Sequence, residues 1–265
     1  MPIDDVFSLE QIFECGQCFR WQKLGKEKYK TVALGREVTF SYSYGSLKAT
    51  CRADELEKIW KNYFDLDRDY AAIRALVSVD EKTAQCVKFG AGIRILKQDP
   101  WEALCSFIIS QCNNIPRIQG IVERLCAMFG EKIGDNAFAF PAPSVLAVLD
   151  AQALAPIRSG YRAPYIISAA RAVASGELDL EKLKTMPTSD AISALTSLPG
   201  VGIKVASCMA LFGLHKLDAF PIDTWMKKAL SEFYGRDFDP ALAFGEYAGI
   251  AQQYIFYHTR ESAGK

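Results

Sequence analysis

The sequence predicts an α+β fold: an N-terminal antiparallel sheet followed by a mainly helical domain. Three observations point there. Residues 19–53 alternate apolar with polar and are rich in β-branched and aromatic side chains, the pattern of half-buried strands. From Asp54 the apolar period lengthens to that of helices. Between Thr188 and Lys228 the pattern reads helix, tight turn, helix, loop, helix, punctuated by Pro199, Gly200, Gly202 and Gly213.

Taken in order, FRWQKL, YKTVALG, EVTFSYSYG and SLKATCRA are the expected strands, with Gly25, Gly35 and Gly45 at turns. ELEKIWKNYF, DYAAIRALVS and EKTAQCVKFG follow as helices, the last ending at Gly90. No Gly-, Ser- and Pro-rich linker interrupts the chain, so caps and period place the boundary. Residues 1–98 form the sheet with flanking helices, and 99–265 the helical domain. Asp99 is its first N-cap. Pro100 takes the first helical position, where a missing N–H costs nothing. WEALCSFIISQC is apolar on most faces, which marks a core helix, and it stops at Asn113 and Asn114. IPRIQGIVERLCAMFG, PSVLAVLD and YRAPYIISAARAVASG extend the bundle, and PALAFGEYAGIAQQYIFYHTR closes it.

Half of the 265 residues are apolar, enough for a substantial core. Lys and Arg together equal Asp and Glu at 31 each. Zero net charge argues against DNA binding, where basic domains are usual, but does not exclude it, since a local patch that includes Lys204, Lys216, Lys227 and Lys228 can supply the phosphate contacts. No run is long and apolar enough to span a membrane, and the N-terminus lacks the basic and apolar regions of a signal peptide. The eight cysteines have no regular spacing and read as reduced thiols of a cytoplasmic protein. Cys15 and Cys18 fit C-x-x-C, but no second pair follows and the chain has only two histidines, so zinc is disfavoured.

The 188–228 stretch carries the chemistry. Thr188 or Ser189 is the expected cap of its first helix, and Pro199 its stop. Gly200 and Gly202 bracket Val201, so the backbone there can take left-handed angles and approach a partner closely. The next helix, from about Ile203, begins with unpaired N–H groups, a place that binds phosphate. The glycine spacing fits neither G-x-G-x-x-G nor a P-loop. Lys204 is unusual in a first turn, because a cation there meets the positive end of the helix dipole. That position favours the uncharged amine, which is a nucleophile. Asp223 opens the following helix. Alone, Asp223 reads as an N-cap and Lys204 as a phosphate contact.

LPGVGIKVA followed by FPIDTWM resembles the helix-hairpin-helix (HhH-GPD) DNA glycosylases, whose motif ends in Gly, Pro and an aspartate. A lysine just after the hairpin marks their bifunctional members. The pattern is most similar to the prokaryotic type of 8-oxoguanine DNA glycosylase/AP lyase. GQCFRW looks like that family's GQ-x-aromatic-Arg-Trp strand. DPWEALCSFIISQCNNIPRIQGIVERLC is similar to its Asn-rich helix–loop, SGYRAPYI to its GYRA segment, and YAGIAQQYIF to its last helix. The hairpin itself spans about 190–213.

The resemblance implies that Lys204 attacks the anomeric sugar carbon and displaces the base, and that β-elimination then nicks the strand. Asp223 would stabilise charge on the sugar. The Gly16 carbonyl would read the lesion, Gln252 the pairing edge, and Cys208 and Phe256 would hold the base between them. Asn113 or Asn114, Tyr161, Arg117 and Arg162 would fill the gap in the duplex and read its orphaned partner, with a preference for cytosine. Gly200, Val201 and Gly202 would grip the backbone. The partner implied is double-stranded DNA containing 8-oxoguanine, bound by a monomer without a membrane, in the nucleoid of a prokaryote. No cofactor is implied. The last cysteine is Cys208, so the iron–sulfur cluster of some relatives is not expected. A cation at the carbonyls of Thr196, Leu198 and Val201 is compatible with the family.

Three positions depart from the family pattern: Cys112 in place of a first asparagine, Trp225 in place of histidine, and Thr259 in place of aspartate. Two other readings remain: a monofunctional alkylpurine glycosylase using the aspartate alone, and a non-catalytic helix-hairpin-helix module that binds DNA structure.

Overall fold

A computed structural model describes residues 1–234 and 238–263; the last two residues of the expected helical domain, 264 and 265, lie outside it. Four strands, β1 (Trp21–Gly25), β2 (Lys28–Ala33), β3 (Arg36–Ser43) and β4 (Ser46–Ala49), form one sheet in sequential order, each pair antiparallel. The hairpin turns explain the order. Ala33 pairs Arg36 and Ser43 pairs Ser46, leaving Leu34-Gly35 and Tyr44-Gly45 as two-residue loops. All four loop residues have φ between +49° and +70°. Such left-handed pairs match the twist of the strands they join.

One face of the sheet is dry. Tyr29, Ala33, Val38, Phe40 and Leu47 pack against Leu9, Ile12, Phe13, Trp60 and Phe64. Leu9, Ile12 and Phe13 come from a short helix, Leu9–Glu14, capped by the Ser8 hydroxyl. The sequence shows no element there, because a six-residue helix is too short to show a period. GQCFRW is corrected as well: only its Trp21 is in a strand, and Gly16–Arg20 is an irregular connection.

Among the described residues, nine helices of eight residues or more follow. These are α1 (Tyr70–Val77), α2 (Glu81–Phe89), α3 (Pro100–Ser110), α4 (Ile115–Phe129), α5 (Ala163–Ala174), α6 (Thr188–Thr196), α7 (Ile203–Phe212), α8 (Thr224–Phe233) and α9 (Ala248–Ala263). Helix α3 is the axis of the second core. Asp99 caps it by accepting from the Glu102 N–H at 2.8 Å, and Trp101, Leu104, Phe107, Ile108 and Ile109 are buried. Helices α4, α5 and α7 pack around it. Helix α9 packs on both α8 and α2, so it joins the C-terminal end of the chain to the N-terminal half.

Three details of the hairpin differ from expectation. Helix α6 has no side-chain cap, since Pro187 precedes it; the Thr188 hydroxyl donates to Asp218 and the Ser189 hydroxyl to Asp190. The helix ends at Thr196, before Pro199. Only Gly200 takes a left-handed φ, at +77°, whereas Gly202 lies at −87°. The closing segment is also broken: Gly245, at φ +57°, separates Pro240–Phe244 from α9. Leu180–Thr185 is a short helix that sequence analysis did not single out.

Candidate active site

The hairpin sets Lys204 one residue inside α7. Gly200 is required at its tip, because a Cβ there would lie 2.3 Å from the Tyr165 ring. Tyr165 on α5 thus packs directly on the turn. The first turn of α7 has no side-chain cap, which leaves its N–H groups free for an anion. Asp223 opens α8, and one of its oxygens accepts from the Met226 N–H at 2.9 Å. The capping reading of Asp223 is therefore correct as geometry, and it leaves the other carboxylate oxygen available.

Lys204 and Asp223 line one cavity of about 560 Å³, within the range of small-molecule pockets. The same wall includes Gly16, Asn113, Asn114, Cys208, Gln252 and Phe256. The chain supplies these residues from five separate segments. Cys208, one turn beyond Lys204, is buried, and burial pushes its thiol up. The Lys204 amine opposes that shift and the Asp223 carboxylate adds to it. Gln252 is 4% exposed, and its side-chain oxygen is buried without a hydrogen-bond partner. An unpaired buried acceptor is costly unless a ligand satisfies it.

Arg117, Tyr161, Arg162 and the Gly200–Gly202 turn lie outside that wall. Tyr161 is exposed, and Arg117 is exposed on the first turn of α4. Arg162 departs from expectation. It is buried, and its guanidinium donates to the backbone carbonyls of Gln111, Cys112 and Ser159. In this geometry it anchors the 111–112 loop rather than offering a free fork to a base. The asparagines depart too. The Asn113 amide donates to the Ile109 carbonyl at 3.0 Å, and Asn114 caps α4 through the Arg117 N–H at 3.0 Å. Both side chains are tied back. Cys112, exposed and at φ +47°, is left at the tip of the loop. Lys216 is likewise removed from the basic patch: its amine donates to the Lys184 and Met186 carbonyls, and burial lowers its pKa.

Several wall residues escaped sequence analysis. Phe107 stacks on Phe212 at 5.4 Å, and Phe19 meets Phe107 edge-on at 5.9 Å, giving the cavity an aromatic back. Gln253 and Arg260 complete the wall from α9. Among the described residues no cluster of three or more His, Cys, Asp or Glu is placed to hold a metal.

Residues 1–104 match the family model for the 8-oxoguanine DNA glycosylase N-terminal domain, and residues 105–241 that for HhH-GPD superfamily base excision DNA repair proteins. An N-glycosylase/DNA lyase of Saccharomyces cerevisiae is 31% identical over 85% of this chain and 68% of its own length. One of Arabidopsis thaliana is 29% identical over 94% and 76% respectively. The structure is similar to that of a Clostridium acetobutylicum 8-oxoguanine glycosylase/lyase in complex with double-stranded DNA containing cytosine opposite 8-oxoguanine. The TM-score is 0.91 at 36% identity, covering 98% of this chain and 93% of that one. With a matching model on each side of residue 105 and relatives aligned across both, this chain belongs to the HhH-GPD superfamily of base excision DNA repair proteins.

Proposed function

We infer that this protein is a bifunctional 8-oxoguanine DNA glycosylase/AP lyase of base excision repair. The observation that carries the reading is the cavity in which an amine, a carboxylate and an unpaired glutamine acceptor meet. A base within a duplex shields its sugar, so the nucleotide must be extruded into a pocket. There the Lys204 nitrogen forms a bond to the anomeric carbon. The glycosidic bond breaks, and its electron pair leaves with the base, which takes up a proton. Loss of the amine proton and opening of the sugar ring give an imine. The imine acidifies the neighbouring sugar proton, and its removal expels the 3′ phosphate. Asp223 stabilises the positive charge that develops on the sugar, an electrostatic role.

The base is held between Phe256 and Cys208. Gln252 accepts from the N–H donors of a guanine-type pairing edge, which satisfies its orphaned oxygen. The Gly16 carbonyl accepts from the imidazole-ring N–H of 8-oxoguanine and repels the lone pair that guanine carries at that position. Cys112, rather than Asn113 or Asn114, enters the gap beside Tyr161. Arg117 reads the acceptor-rich edge of cytosine, while Arg162 holds the loop from below. The uncapped start of α7 and the Gly200–Gly202 turn grip a phosphate. The protein acts on DNA as a monomer and without a membrane. Of the three carbonyls that could hold a cation at the turn, those of Thr196 and Val201 accept no backbone N–H outside the helices, while that of Leu198 accepts from the Val201 N–H at 3.1 Å. The cation's bond to a phosphate would supplement that grip.

Base release from duplexes carrying 8-oxoguanine or guanine opposite cytosine tests the reading. Release of 8-oxoguanine alone is expected. Release of neither, or of an alkylated purine in its place, would contradict it.

A further inference from the structure

The connection that holds Gly16 has an uneven pattern of hydrogen bonds. The Glu14 carbonyl accepts from Arg260 Nη2, the Cys15 carbonyl from Gln253 Nε2 at 2.8 Å, and the Gln17 carbonyl from Gln98 Nε2 at 2.7 Å. Among the described residues the Gly16 carbonyl accepts none. Gly16 itself sits at φ +87°, a conformation that suits glycine alone, and lines the cavity. The Gln17 side chain is buried and used up: it donates to the Ile12 and Arg94 carbonyls and accepts from the Leu96 N–H.

Two of the three braces come from α9, the helix that also carries Gln252 and Phe256. Gln253 is 1% exposed. Arg260 pairs with Glu261 at 2.8 Å and lies 5.5 Å from the centre of the Phe256 ring. Its Nη1 is 3.2 Å from where a Cβ on Gly16 would stand. The helix that supplies the base-stacking wall therefore also sets the turn beside it.

We propose that Gln253 and Arg260 are positioning residues for base recognition: by occupying the Glu14 and Cys15 carbonyls they leave the Gly16 carbonyl free and fixed at the cavity. The inference rests on the glycosylase reading above. A lone carbonyl discriminates an N–H from a lone pair only if its distance and direction are held, since hydrogen bonds weaken steeply with misalignment. A shift of about 1 Å in a reacting complex can cost about 100-fold. Neither residue needs to touch the sugar, so neither is required once the base is gone.

That separation supplies the test. Two single-turnover rates are measured for each protein: release of 8-oxoguanine opposite cytosine, and cleavage at a preformed abasic site opposite cytosine. The variants are Gln253→Met, which keeps the length and loses the donor, Arg260→Met, which keeps the stem, and Arg260→Lys, which restores a cation. Base release is expected to fall about 10- to 100-fold in Gln253→Met and Arg260→Met, with abasic cleavage within about threefold of wild type. Arg260→Lys should recover part of the loss. Parallel loss of both rates, or no loss of either, overturns the proposal. If Gln253→Met does not fold, the two Arg260 variants decide alone. A wild-type protein that cleaves abasic sites yet releases no 8-oxoguanine sinks the glycosylase reading itself, a result distinct from normal release by the variants.

Discussion

The proposed reaction gives Asp223 a second role beside its cap. One oxygen accepts from Met226 and starts α8; the carboxylate charge serves the sugar. Asn caps helices about as well as Asp, so Asp223→Asn separates the roles. Thermal denaturation should move by no more than about 0.5 kcal/mol, while base release drops by about 100-fold or more. Equal activity in the two proteins would leave Asp223 a cap and nothing else. Lys204 and Asp223 were legible because each is chemically out of the ordinary: a cation at a helix start, and a carboxylate beyond a Pro-Ile pair. Phe107 and Phe212 were not, since an aromatic residue in an apolar helix looks the same whether it faces core or cavity. Nor were Gln253 and Arg260. They act through the backbone carbonyls of residues more than 200 positions earlier, and no local pattern records such a pairing. The hydrogen bonds of Asn113 and Asn114 were not legible for a related reason, because an asparagine that caps and one that projects have the same sequence signature.

The hairpin is an element with almost no slack. Its tip residue has a left-handed φ, and the Tyr165 ring already occupies the space of any added side chain. Gly200→Ala should therefore destabilise the protein by about 1–3 kcal/mol. It should also weaken binding to undamaged DNA, by shifting the N–H groups at the start of α7. Denaturant unfolding and a binding titration check both. Gly202 has open space about it and an ordinary φ, so Gly202→Ala should cost less. Strand order and the longer helices followed from alternation, glycine turns and caps, all of them local. The Leu9–Glu14 helix did not, and it forms because Ser8 caps it while Leu9, Ile12 and Phe13 fill the dry face of the sheet. That is tertiary stabilisation of a segment with little helical preference of its own.

Across the whole molecule, Asp65 ties the two halves together. It is 2% exposed and meets Arg68 at 2.6 Å, Lys97 at 3.0 Å and, from the loop after α7, His215 at 3.3 Å. Burial by itself would raise its carboxyl; His215, Arg68 and Lys97 more than offset that and hold it at about 2, against an ordinary 3.8. A carboxyl lowered on folding stabilises the protein above its unfolded pKa, and the contribution is lost as pH falls through the folded one. The stability that Asp65 provides should therefore be complete above about pH 4 and disappear towards pH 2. Asp65→Asn should be less stable at neutral pH and lose less on acidification over that window, as read by urea midpoints at each pH. A variant with the same acid dependence as wild type would place the cross-tie elsewhere. Among the described residues no helix is long and apolar enough to cross a membrane. The catalytic cavity is likewise a product of the whole chain, assembled from the N-terminal turn, the α3–α4 loop, α7, the start of α8 and α9.

The proposed chemistry turns on a covalent bond between Lys204 and the sugar of the damaged nucleotide. Incubation with 8-oxoguanine duplex in the presence of borohydride, followed by peptide mapping of the adduct, reads that bond directly. Wild type should become covalently attached to DNA at Lys204, and Lys204→Gln should bind the same duplex without forming an adduct. A wild type that releases 8-oxoguanine but is never trapped, or an adduct that survives in Lys204→Gln, would contradict the lysine-imine mechanism.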